Sequence, residues 1–128
     1  MHAVTPLYAG LCGLFFLVLS VGTIRARGRA RVSLGTGDDP ALIRAVRAHG
    51  NFAEYVPIAL LLMLAVEVVG YPHWLLHLAG VPLLLGRVAH ALGVGREGAD
   101  FRLRVAGMVL TFFSITVLSV AAIASVTL

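Results

Sequence analysis

Arg47, Asn51 and Glu54 stand where a polar stretch leads into the apolar run Ile58-Ala59-Leu60-Leu61-Leu62-Met63-Leu64-Ala65-Val66. On a helix of about 100° per residue, with Arg44 as zero, Arg47 projects at about 300°, Asn51 at about 340° and Glu54 at about 280°. All four share an arc about 80° wide, whereas His49 and Glu67 both fall at about 140°, on the far side. A guanidinium fork matches a carboxylate through two parallel hydrogen bonds. An amide donates and accepts, and a carboxylate suits an ammonium or balances an arginine. Inside a membrane such groups are expensive unless they face other protein or a polar cavity. The stripe therefore suits a small ligand with several negative charges and a positive one.

The elements that position these residues follow from composition. The chain has 128 residues, 59% of them hydrophobic and 12% charged, with a mean hydropathy of +0.96. That balance excludes an ordinary soluble globule and specifies an all-α integral membrane protein. The length suits one domain spanning residues 1–128. All ten basic side chains are arginines, and the net charge is +4. The arginines sit at the ends of apolar segments, so membrane lipid headgroups, and no nucleic acid, are the expected partner. Cys12 is the only cysteine, which excludes an intrachain disulfide, and its apolar setting suits an inert thiol. The first apolar stretch lacks a basic leader and a small-residue cleavage site, and reads as a retained span.

Four spans are predicted. The first runs from Pro6 to Ile24; the second starts with Asp39 as N-cap and Pro40 at the first helical position and ends near Val69. Gly70-Tyr71-Pro72 is a tight turn, and the third span runs from Pro72 to Leu92, ended by Gly93-Val94-Gly95. The fourth starts at Asp100 or Phe101. Small residues such as Ala121 and Ser125 in that span allow close helix approach. Arg25, Arg27, Arg29 and Arg31 are expected in the first loop, and Arg96 in the third, with Arg102 and Arg104 just beyond. Neither terminus has a basic side chain apart from His2. The positive-inside rule puts both arginine-rich loops in the cytoplasm and both termini outside. Counting back from the Gly70 turn places Glu54 about 24 Å away, just under the cytoplasmic surface of a core about 30 Å thick. The same count sets Glu54 beside Arg87, Asn51 beside His90, and Arg104 level with His90. Thr111 and Ser114 share the arc of Arg104, which makes that face polar enough to line a site.

The constellation fits a polyanion that also carries an amine. Glutathione is one such molecule, although the residues alone do not select it over another polyanion. A nearby arginine would lower its thiol pKa from about 8.5. Apolar walls would admit a hydrophobic small-molecule substrate from the bilayer. The string Arg47-Ala48-His49-Gly50-Asn51-Phe52-Ala53-Glu54-Tyr55-Val56-Pro57 resembles the signature of the MAPEG family, the membrane-associated proteins in eicosanoid and glutathione metabolism. Arg87-Val88-Ala89-His90 is similar to that family's second pattern, and the likeness covers essentially the whole chain in a short bacterial form.

The resemblance implies a homotrimer of four-transmembrane-helix bundles in a bacterial inner membrane, with glutathione bound between subunits as cosubstrate. It implies that Arg47, Asn51 and Glu54 hold the glutathione backbone and that Tyr55 assists. Arg87 and His90 would line the site from the third helix, with Arg25 or Arg27 reaching across from a neighbour. Arg104 would stand by the thiol as the catalytic residue; no metal is implied. The activity so implied is a glutathione S-transferase or peroxidase acting on lipophilic electrophiles. Eicosanoid-metabolising members commonly have a tyrosine four residues after His90, where this chain has Val94. The prostaglandin-forming member has a serine after its thiol-facing arginine, where this chain has Val105. These departures favour glutathione binding over thiolate activation and keep a non-enzymatic lipid- or glutathione-binding protein as the alternative. A small four-span exporter is disfavoured, because residues 3–24 lack the acid such exporters carry in their first span.

Overall fold

Asp39 opens the second helix as the sequence predicts: its carboxylate accepts from Leu42 N at 2.7 Å, with Pro40 in the first turn. Gly70 closes that helix in the left-handed region, at φ 95°, which a side chain would oppose. In the computed structural model, which describes residues 3–98 and 100–127, the helices are α1 (Thr5–Ala30), α2 (Pro40–Val69), α3 (His73–Gly95) and α4 (Phe101–Thr127). His2 lies outside the described residues. All four helices are long and apolar enough to cross a bilayer, where a helix satisfies its own backbone polar groups.

Two ends differ from expectation. α1 continues beyond Ile24, so Arg25, Arg27 and Arg29 occupy its last turns instead of a loop. Arginine is a good helix former, and cations near a helix C-terminus complement its dipole. The helix stops only where Arg31 turns left-handed, at φ 55°. Arg27 then folds onto the connection, its Nη1 donating to Val32 O at 3.3 Å and Gly35 O at 2.8 Å. α3 likewise runs through Gly93 to Gly95. Gly93 does not terminate the helix but lets another one approach: a Cβ there would lie 2.4 Å from the backbone nitrogen of Arg104.

α3 and α4 form the most extensive helix contact. A Cβ on Gly107 would lie 2.6 Å from both Gly86 O and His90 N, so the two backbones meet. This crossing sets Gly107 level with His90 and Arg104 level with Gly93, one turn from the expected pairing, because α3 is longer than expected. Thr111 and Ser114 are fully buried. Thr111 Oγ1 donates to Gly107 O at 2.8 Å, and Ser114 Oγ lies 2.8 Å from Ala79 O across the helix pair and 2.9 Å from Leu110 O. The Ser114 hydroxyl fastens the seam and that of Thr111 is bonded within α4; both are fully buried, so neither is open to line a site, contrary to the sequence expectation. Ala121 is buried in the chain's own core beside Leu118.

α1 packs on α2 and touches α3 more briefly. His49 and Glu67, paired on one arc of α2 by the helical wheel, both meet α1. Glu67 accepts from the backbone nitrogens of Val4 and Thr5, 3.0 Å in the latter case. His49 Nε2 lies 3.1 Å from Ser20 Oγ, and its ring stacks on Phe16 at 4.7 Å. On α3, His77 Nδ1 is hydrogen-bonded to the Tyr8 hydroxyl at 2.8 Å, and the Tyr8 ring covers Gly80, where a Cβ would sit 2.4 Å from it. Glu67→Ala removes the side chain that accepts from two donors at the start of α1. It is expected to cost about 1–2 kcal/mol, as losing a helix cap does. Amide exchange at residues 4–8 should quicken while the middle of α1 stays protected; unchanged exchange would refute the cap.

Candidate functional site

Arg87 is 1% exposed and joins three helices. Its Nη1 donates to Asn51 Oδ1 at 2.6 Å, and its Nη2 reaches Gly107 O at 3.4 Å and Met108 Sδ at 3.5 Å. The guanidinium carbon lies 5.8 Å from the centre of the Tyr55 ring, which leans on Phe112 at 5.6 Å. A cation over an aromatic face is attracted to it. His90 is buried one turn along, against Gly107. Asn51, Tyr55, Arg87 and His90 therefore form the inward half of the polar stripe.

The sequence count put Glu54 beside Arg87, but Arg87 bonds Asn51, one turn away. Asn51, at about 340° on the wheel, borders the buried sector that holds Ala48 and Ala59 at about 40–60°. Glu54, at about 280°, points outward. Its side chain is exposed, as is that of Arg47, and neither makes a hydrogen bond or ion pair among the described residues. Gly50, at about 240°, shares this outward face, and a Cβ there would meet nothing within 4 Å. Arg47 and Glu54 thus form an uncovered outward half of the stripe, at the arginine-rich end of α2.

Arg104 is exposed at the start of α4 and meets Arg47 across a cavity of about 370 Å³. Arg44, Arg96 and Glu97 also line it, over a wall of Gly93 and Val94. Sequence reasoning took Arg96 for a topology signal alone. Its position directly after Gly93-Val94-Gly95, where side-chain bulk falls away, was the available sign that it borders a space. Arg25 is exposed near the end of α1, while Arg27 is engaged with its own loop. An apolar groove of about 340 Å³ runs between α1 and α2, past Cys12, Phe16, Phe52 and Val56. Ala53 and Pro57 border it too; proline supplies no N–H, so the Ala53 carbonyl lacks its intrahelical donor.

Four membrane-spanning helices, a buried arginine clamped to an asparagine, and an uncovered Arg–Glu face at the same end define a class of small polar-cored membrane bundles. The chain matches the MAPEG family over residues 5–124, from the first turn of α1 almost to the end of α4, and belongs to that family. It is similar to inner membrane protein YecN of Escherichia coli, with 38% identity over 118 residues, covering 92% of this chain and 88% of the relative. The protein of that name from Escherichia coli O6:H1 aligns with the same figures.

Proposed function

We propose that this protein binds glutathione between the subunits of a homotrimer and transfers it to lipophilic electrophiles, or uses it to reduce their peroxides. The proposed setting is a bacterial inner membrane, with the site at the cytoplasmic face and both termini outside. One observation carries the reading: Glu54 and Arg47 face outward from a helix apolar enough to cross a bilayer, with no hydrogen bond or ion pair among the described residues. A carboxylate turned toward lipid is costly; a second subunit with a bound zwitterion between the two would cover it. In this reading Glu54 receives the ligand's ammonium and Arg47 one of its carboxylates. Asn51 is oriented by Arg87, Tyr55 and His90 complete the inner wall, and Arg25 reaches in from the neighbour, since Arg27 is occupied. Arg104 stabilises the thiolate. The sulfur then bonds to the electrophilic carbon, and the displaced electron pair leaves with the departing group.

Binding without catalysis is the second reading, and a specific observation favours it. Val94 and Val105 place apolar side chains near Arg104, while the Thr111 and Ser114 hydroxyls are committed to backbone carbonyls. No hydroxyl on this stretch of α4 is free to assist a thiolate. Glutathione titration tests what the two readings share. Glu54→Gln and Arg47→Ala are each expected to weaken binding more than tenfold, about 1.4 kcal/mol. Unchanged affinity in both folded variants would end the assignment, and mass spectra showing only monomer or dimer from mild detergent would end its intersubunit placement.

A further inference from the structure

The cavity beside Arg104 carries more positive charge than glutathione would neutralise. That tripeptide has two carboxylates and one ammonium, a single net negative charge. The cavity wall has Arg44 and Arg47 from α2, Arg96 from the turn after α3 and Arg104 from α4, against one acid, Glu97. Guanidinium groups stay charged in proteins. None of these four side chains forms a hydrogen bond or ion pair with another described residue, and the Nε of Arg44 is shut off from solvent with no acceptor. Four unneutralised cations from three segments of chain repel one another unless an anion lies among them.

We propose that this cavity is a second anion site, built for a phosphate group, with Arg44 and Arg96 as its own ligands and Arg47 and Arg104 shared with the thiol site. A phosphate offers several acceptor oxygens in a tetrahedral array, which separate guanidinium forks can approach from different sides. A single carboxylate offers two oxygens in one plane. The wall at Gly93, Gly98 and Val94 has little side-chain bulk, so a group the size of a phosphate ester fits within about 370 Å³. The site lies where α3 ends and α4 begins, at one end of two helices apolar enough to cross a bilayer. The phosphate comes either from an anionic phospholipid headgroup or from a phosphate ester in solution. Both present the same chemistry to the arginines.

The inference does not require glutathione, because Glu54 lies outside the cavity. Its test uses the full chain in neutral detergent, titrated with inorganic phosphate by calorimetry. In parallel, the protein is reconstituted in nanodiscs of phosphatidylcholine with or without phosphatidylglycerol, and retained lipid is counted by native mass spectrometry. Saturable phosphate binding without lipid selectivity assigns the soluble source. Selective retention of phosphatidylglycerol assigns the headgroup. Either signal should fall more than tenfold in Arg44→Gln/Arg96→Gln and persist in Glu54→Gln, which weakens glutathione binding more than tenfold if the thiol site is where it is proposed. Arg96→Gln alone, at an exposed position beyond α3, serves if the double variant does not fold. The proposal is overturned if the wild type shows neither signal, or if the double variant, or Arg96→Gln where the double variant does not fold, binds as the wild type does.

Discussion

Gly107→Ala is expected to unfold at a temperature well below that of the wild-type protein. The new methyl would lie 2.6 Å from Gly86 O and from His90 N, and 2.8 Å from the His90 Cβ. Two of those atoms are backbone held in a helix, so they cannot swing aside as a side-chain end can. The helices must separate, and forcing atoms into a packed interior costs about 1–3 kcal/mol. Separation also draws Gly107 O away from Arg87 Nη2, which reaches it at 3.4 Å across the helix pair. Gly28→Ala is the control, since a Cβ there meets nothing within 4 Å. Alanine is favoured over glycine in a helix by about 1 kcal/mol, so that variant should hold or gain stability. Thermal unfolding in detergent reads both. A Gly107→Ala midpoint equal to that of the wild type would refute the close crossing.

Arg104→Leu is expected to abolish the thiolate signal of bound glutathione while leaving its affinity largely intact. A guanidinium beside the sulfur favours the charged form, so the bound thiol should titrate below its ordinary value of about 8.5. Thiolate absorbance followed against pH therefore appears earlier in the wild-type protein than in free glutathione. Removing the cation moves the transition back up by about one unit or more, each unit worth 1.36 kcal/mol. Preorganised charge of this kind is often the largest catalytic contribution. Affinity survives because Arg47, Asn51 and Glu54 hold the other end of the tripeptide. If the wild type binds glutathione yet shows no thiolate up to about pH 8, the protein is a binder and not a transferase.

Much of the fold was legible because its signals are local. Asp39-Pro40 and Gly70 mark the ends of α2 through capping chemistry that needs no partner. The helical wheel separated His49 and Glu67 from the Arg47–Glu54 stripe, and the two sets do face different surroundings. Register between helices was less legible. Residue counting treats a turn as a point, whereas the end of α3 depends on whether Gly93 ends a helix or admits a neighbour, and α4 decides that. The same gap misplaced Arg104 by a turn. Arg87 was set beside Glu54 because the count follows backbones, and its long side chain reaches Asn51 instead. The hydroxyls of Thr111 and Ser114 looked available because a wheel shows direction without showing what stands opposite. The spacing of Gly86 and Gly93, two helical turns apart on one face, was the missed sign of a seam.

α1 is clasped to the other helices at its start and again past its middle, with Phe15 and Phe16 packed on Phe52 between the clasps. Glu67 grips its first residues and His77 holds Tyr8, while His49 meets Ser20 more than three turns further on. The groove past Cys12 and Phe16 opens along the stretch between these clasps. Mechanically, the stretch of α1 from Tyr8 to Ser20 is a beam pinned at both ends and cushioned on aromatic rings between them. An acyl chain pressing into the groove bends the middle of the beam and leaves the pins in place, so the opening should yield elastically and recover its width when the chain withdraws. Losing the clasp at the first end turns that end into a hinged flap, whereas beyond Ser20 the Thr23 hydroxyl still holds Ala45 O.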